Sequence, residues 1–359
     1  MKKRGVSAAA GGWLPALALI GIMGLSGICV AQPSESEVLV ALADKGVAPS
    51  LKQAATASRG LAEAVRQLCA QKDAAHLERA RAAWQEAFLA WRRAEPFQFG
   101  IGKGGKQDRS IDEWPVNAIV LDQVAATKDF AHLRESKDIR GFSGAEYLLF
   151  VPADATAATA AERCPHLQDI ADEIAGRNAR LYRQWQEEDS RRFVAAGDGE
   201  PFLMPEDAFA PVFARMLNVT ERLLRDRITI PSGSDEIAAK PEALEAWRSA
   251  LTRDAIRATI AGLRLALVGD GRTGITGLVA VRDGLVSQKN PQLAGAIAHQ
   301  LDRIDKRLDD LGGGRTLYEA LTSKTTVLKP LYDDIETLQK QIVEASLTLE
   351  VDVRMPGEL

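Results

Sequence analysis

Apolar positions recur along this chain at steps of three and four residues. Leu77, Trp84, Phe88 and Trp91 form one stripe, with Glu, Gln and Arg between them. Phe209, Phe213, Met216, Val219 and Leu223 form a second, and Ile256, Ile260, Leu263 and Leu267 a third. Leu293, Ile297, Leu301, Ile304, Leu308 and Leu311 continue the pattern. Leu331, Ile335, Leu338, Ile342, Ala345 and Leu349 follow Pro330, a residue suited to a first helical turn. Strand-type alternation is not sustained anywhere, so the fold expected is all-α. Glycine and proline gather around 100–110, 195–205 and 230–241, which divides the pattern into two helical bundles, 34–200 and 206–359. An Ala-Trp pair at Trp84 and again at Trp247 is a faint echo of duplication.

The first residues change the picture of where the chain works. Lys2, Lys3 and Arg4 precede an apolar stretch, Ala16 to Ile28, that is short for a membrane span. Cys29-Val30-Ala31 then offers small residues for cleavage, so 1–31 reads as a secretory signal peptide. A lipid anchor at Cys29 is the rival, weakened by bulky Ile28 before it. The expected location is the periplasm or cell envelope, with no transmembrane segment in the mature chain. Of the 359 residues 46% are hydrophobic, enough for a sizeable core. The net charge of −4 becomes −7 without residues 1–31, which argues against nucleic-acid partners and a polybasic membrane patch. Outside the cytoplasm Cys69 and Cys164 are either a disulfide or two buried thiols.

Few motifs carry chemistry. The Gly100–Gln107 loop fits a dinucleotide fingerprint at Gly100, Gly102 and Gly105, yet a helical stripe precedes it where a strand is required. It reads as a connector. His132/Glu135, His166/Asp169 and His299/Asp302 read as solvated surface pairs at i,i+3 spacing. Two carboxylates stand out because they fall on apolar faces, where a charge must be paired or ligated. Glu95 lies 11 residues past Trp84, about 20° away on a helical wheel. Glu146 shares a face with Ser143 in Gly141–Phe150. The two could hold a cation together, Glu146 could be a structural acceptor, and Arg92 or Arg93 could neutralise Glu95.

With these residues on the page, the chain resembles the imelysin-like family. Ala83-Trp84 through Trp91, Glu95-Pro96-Phe97 and Phe99-Gly100 match its first signature; Ile111, Trp114-Pro115 and Asn117 match the next segment. Gly141-Phe142 and Glu146 through Phe150 are similar to its GxHxxE motif and apolar tail. Arg163-Cys164 with Leu167, and Glu245 through Ser249, extend the resemblance over most of the mature chain.

The resemblance implies an envelope protein of two helical bundles, linked to iron uptake or regulation. Ser143 stands where the motif has histidine, and a hydroxyl is a poor ligand for zinc or ferrous iron. Peptidase chemistry is therefore not expected. The reading is a non-catalytic protein that binds a metal, a metal complex or an envelope iron-uptake partner. Iron or another divalent or trivalent cation is the cofactor it implies. Trp114, Gly141, Ser143 and Glu146 are its candidate binding residues. Glu95 and Glu146 are its candidate metal ligands, with Asp112 or Glu113 as further oxygen donors. A metal-dependent peptidase and a ligand-free scaffold are the alternatives.

Overall fold

The computed structural model describes residues 33–101, 111, 114–127, 139–151, 163–199, 201–235, 238–271, 273–283 and 292–353. The signal segment 1–31 with Cys29, most of the glycine loop, Asp112, Glu113 and the His132/Glu135 pair lie outside them. The described residues are helical, without a strand, as the period of the apolar stripes dictates. No helix among them is long and apolar enough to cross a membrane.

The N-terminal part comprises α1 (Glu35–Ala41), α2 (Ala48–Gln71), α3 (Ala74–Ala94), α4 (Ala118–Thr127), α5 (Gly141–Phe150), α6 (Arg163–Gln184) and α7 (Ser190–Val194). Next come α8 (Phe209–Arg222), α9 (Thr252–Leu267), α10 (Ile275–Asp283), α11 (Leu293–Asp310), α12 (Leu317–Ser323) and α13 (Lys329–Thr348). Local signals set the ends. Ser34 and Glu37 exchange bonds in a capping box that starts α1. Asp73 accepts from the His76 N–H at 2.8 Å and starts α3. Lys72 takes a left-handed turn between α2 and α3, so the two helices fold back and pack along each other.

Two apolar clusters fill the interior, and they do not follow chain order. The smaller draws on α2 from Ala57 onward, α3, α5 and the first half of α6, with Ala246 and Ala255 from far downstream. The larger gathers residues 38–54, Ala94 to Ile101 and most of the chain from Trp185 to Val351. Helix α9 lies on α3 where the clusters meet. Gly262 permits that approach: a Cβ there would fall 2.2 Å from the Arg93 carbonyl oxygen.

Cys69, near the end of α2, and Cys164, at the start of α6, form a disulfide across 95 residues of sequence. Two residues on, His166 corrects its reading as a surface partner of Asp169, for it is fully buried. Cys164, Leu167 and Ile170 point the same face of α6 inward, and His166 goes with them. Burial pushes the imidazole down to about 4 from 6.5. The unfolded chain therefore takes up this proton first as pH falls. The stabilisation is fully present above about pH 6.5 and is lost progressively down to about pH 4, up to about 3 kcal/mol in all. Urea unfolding at pH 7.5 and 4.5 should show this slope in the wild type and a shallower one in His166→Gln. Equal slopes would remove His166 as the cause.

Candidate functional site

Helix α5 opens on Gly141, whose φ of 70° is a left-handed conformation that suits glycine, following Arg140 in extended backbone. The Trp84 indole N–H donates to the Phe142 carbonyl at 3.0 Å, and the Phe142 ring lies 5.1 Å from Trp91. These contacts pin the start of α5 to α3. Ser143 and Glu146 are then both buried, at 7% and 2% exposure.

Glu146 does not stand alone on that face. Its Oε1 accepts the Ser249 backbone N–H at 2.8 Å and the Ser249 hydroxyl at 2.9 Å. Ser249 belongs to the turn 244–251, just ahead of α9. Ala246 and Ala250 there take φ of 54° and 61°. A left-handed conformation costs a non-glycine residue about 1–2 kcal/mol. The turn is held by Glu146, by the Leu251 N–H on the Ala246 carbonyl at 2.9 Å, and by the Thr252 hydroxyl on the Glu245 carbonyl at 2.6 Å.

Glu95 meets cations. It follows α3 in a short 3-10 turn, Glu95–Phe97, and is 1% exposed. Arg227 Nη2 lies 2.8 Å and Arg92 Nη1 3.3 Å from Oε2; Arg222 Nη1 lies 3.2 Å and Arg215 Nη2 3.9 Å from Oε1. Arg215 Nε also donates to the Glu95 backbone carbonyl at 2.7 Å. Burial opposes ionisation of Glu95, but the fields of Arg227, Arg92, Arg222 and Arg215 outweigh it and hold the carboxyl well below the usual range. Glu245 joins from the 244–251 turn, paired with Arg92 and with Arg227 Nε at 3.1 Å.

A π-helical turn, Leu223–Thr229, assembles this cluster at the end of α8. Pro231 removes the N–H that an α-helix would direct at the Arg227 carbonyl, and the Thr229 hydroxyl donates to the Leu224 carbonyl at 2.8 Å. The wider i→i+5 turn brings Arg222 and Arg227 to the same carboxylate. Half-buried Trp114 faces three of the guanidinium groups, at 5.2 Å for Arg92 and 5.4 Å for Arg222 and Arg227.

A more exposed layer borders Glu146. Tyr147 donates to Asp122 at 2.7 Å, and Asp122 pairs with Arg163 at 3.1 Å. Arg163 and Arg248 both stand over the Tyr147 ring, at 5.9 and 5.4 Å. Arg248 also stands 4.5 Å over Trp247, which stacks on Tyr318 at 4.5 Å.

The imelysin profile matches residues 47–342, most of the chain. The chain belongs to the imelysin family. Its fold is imelysin-like. An iron-regulated protein A precursor from Parabacteroides distasonis ATCC 8503 superposes with a TM-score of 0.73 at 20% identity, over 89% of this chain and 97% of that one. An imelysin-like protein from Psychrobacter arcticum 273-4 superposes with a TM-score of 0.69 at 20% identity, over 91% and 100%. No curated protein sequence matches.

In this imelysin-family chain, Glu95 and Glu146 are engaged separately, one by arginines and the other by Ser249. The two carboxylates expected to share a cation are instead linked through opposite ends of one turn, at Glu245 and Ser249. A cation at Glu95 would sit beside guanidinium groups and be repelled. Among the described residues no group of three or more His, Cys, Asp or Glu side chains is placed to hold a metal. Sequence reasoning missed Glu245, Arg248 and the arginines of α8 and its π turn. The signal was there in part, because Arg215 and Arg222, seven apart, fall on one face of a helix.

Proposed function

We propose that this imelysin-family chain is a non-catalytic binding protein of the bacterial cell envelope, tied to acquisition of iron or another metal. It captures a metal complex or a protein partner at the face built around the 244–251 turn. The observation that carries this reading is the use of Glu146: its Oε1 is spent on the backbone N–H and hydroxyl of Ser249. With Ser143 in the histidine position, the motif then works as a clamp on a strained turn, and such turns cluster at ligand sites. The signal-like segment 1–31 supports export. The Cys69–Cys164 disulfide suits an oxidising compartment.

The test is metal retention by the mature chain purified from periplasm without chelator. It is run beside Glu146→Gln, with ferric and ferrous iron, copper, zinc and ferric citrate offered in turn. The expected result is about one metal per chain when iron arrives as an anionic complex, and less in Glu146→Gln. No metal retained in any form would overturn the metal reading. Chelator-sensitive cleavage of a protein substrate would overturn the non-catalytic one.

A further inference from the structure

Arg248 differs from the other arginines of the site. Arg92, Arg163, Arg215, Arg222 and Arg227 are all engaged by carboxylates or carbonyls. Arg248 is half-buried, and among the described residues no hydrogen bond or ion pair engages its guanidinium. Among the described residues it meets the faces of Tyr147 and Trp247 and the field of Glu146.

Both rings have their own anchors. The Tyr147 hydroxyl is tied to Asp122 and the Trp247 ring is stacked on Tyr318. The next residue, Ser249, is fixed through its backbone N–H by Glu146. The side chain is thus held at its backbone and along its length, while among the described residues its N–H groups meet no acceptor. A guanidinium placed over aromatic rings still presents a fork that matches a planar oxyanion by two parallel hydrogen bonds. The ring contacts also lower the ordering cost of binding, because a long flexible side chain is already placed.

We infer that Arg248 is the anchoring residue of an oxyanion subsite, and that the group it takes is a carboxylate or phosphate on a small ligand. This rests on the reading of the 244–251 face as the binding face, and it names the ligand chemistry there. A metal would then reach the site inside an anionic chelate, with Arg248 gripping the chelate.

The experiment is titration calorimetry of the mature chain with citrate, ferric citrate and inorganic phosphate. Wild type, Arg248→Lys and Arg248→Gln are compared, each checked for its urea midpoint. The wild type should bind at least one of the three, with citrate and phosphate separating the two sources of oxyanion. Arg248→Gln should weaken that binding about tenfold or more, the effect of losing a charge-assisted pair of bonds. Arg248→Lys, which keeps the charge but not the fork, should fall between. Added salt should weaken wild-type binding, because the group is part-exposed.

Affinity in Arg248→Gln within twofold of the wild type would overturn the subsite. So would a wild type that binds none of the three anions. A wild type that retains iron, with Arg248→Gln retaining it equally, removes the subsite and leaves the metal reading standing. Metal-free citrate or phosphate bound through Arg248, with no metal retained in any form, removes the metal reading and leaves the subsite.

Discussion

Glu95→Gln should cost this protein about 3–5 kcal/mol, the loss expected when one partner of a buried ion pair is neutralised. Four arginines converge on the Glu95 side chain, and Arg92, Arg215 and Arg227 are themselves almost wholly buried. Glutamine keeps the shape and removes the charge, so those cations keep their desolvation cost and are left with Glu245, which pairs with Arg92 and Arg227 alone among them. The pair itself is weak evidence of net stability; the cost lies in breaking it on one side. A double variant, Glu95→Gln with Arg227→Met, should therefore regain part of the loss, because it removes one of the cations left in excess over Glu245. Urea unfolding at pH 7 measures both. A single-variant loss under about 1 kcal/mol, or no recovery in the double, would show that Glu95 is not the counter-charge of the cluster. The pH dependence separates this effect from that of His166. The Glu95 pKa is depressed by the guanidinium groups, so its contribution is present above the normal carboxylate range and is lost only as pH falls through the lowered value. Between pH 7 and 5 the gap between wild type and Glu95→Gln should hold steady, while the His166 contribution declines.

Removing the Cys69–Cys164 bridge is the second large effect. Closing a loop of this length restricts the unfolded chain by about 4.7 kcal/mol in the chain-entropy account, and observed losses for native bridges run about 2–5 kcal/mol. Reduction with dithiothreitol, or the Cys69→Ser/Cys164→Ser variant, should lower the urea midpoint by that order. The double-serine variant should be indifferent to reductant. An unchanged midpoint in reductant, with the thiols shown to be free, would mean that the unfolded chain gains no freedom when the bridge opens.

The helices were legible because burial selects every third or fourth position. Leu331, Ile335, Leu338 and Ile342 were chosen by spacing alone, and all four are fully buried. The inward placement of Glu95 was legible for the same reason, since a wheel angle needs only local geometry. Of its partners only Arg92, three residues away, was legible. Arg215, Arg222 and Arg227 lie 120 to 132 residues downstream, and a sequence read in local windows holds no term for such pairs. The π turn hid the cluster further, because i→i+5 spacing leaves no 3.6-residue signature. Glu146 could be read as a buried acceptor but not as the acceptor for Ser249, 103 residues away. The 244–251 turn was obscured by composition. Ala246 and Ala250 are helix formers, and their left-handed backbone is imposed by tertiary bonds rather than announced by glycine. His166 misled because an i,i+3 acid looks like a surface partner whichever way the face points.

The way the two cores share the chain has a consequence for the order in which the molecule comes together. The smaller core takes all its residues from 57 to 174 apart from Ala246 and Ala255, and both cysteines lie within that stretch. A chain made from its N-terminus thus holds nearly a full set of partners for that core before half of it exists. Val38, Leu39 and Leu42, made earlier still, belong to the larger core, most of whose residues come from Trp185 onward. Helix α1 packs on α7, on the turn Pro205–Ala208 and on α10, so its apolar face is covered only once those later segments have been made.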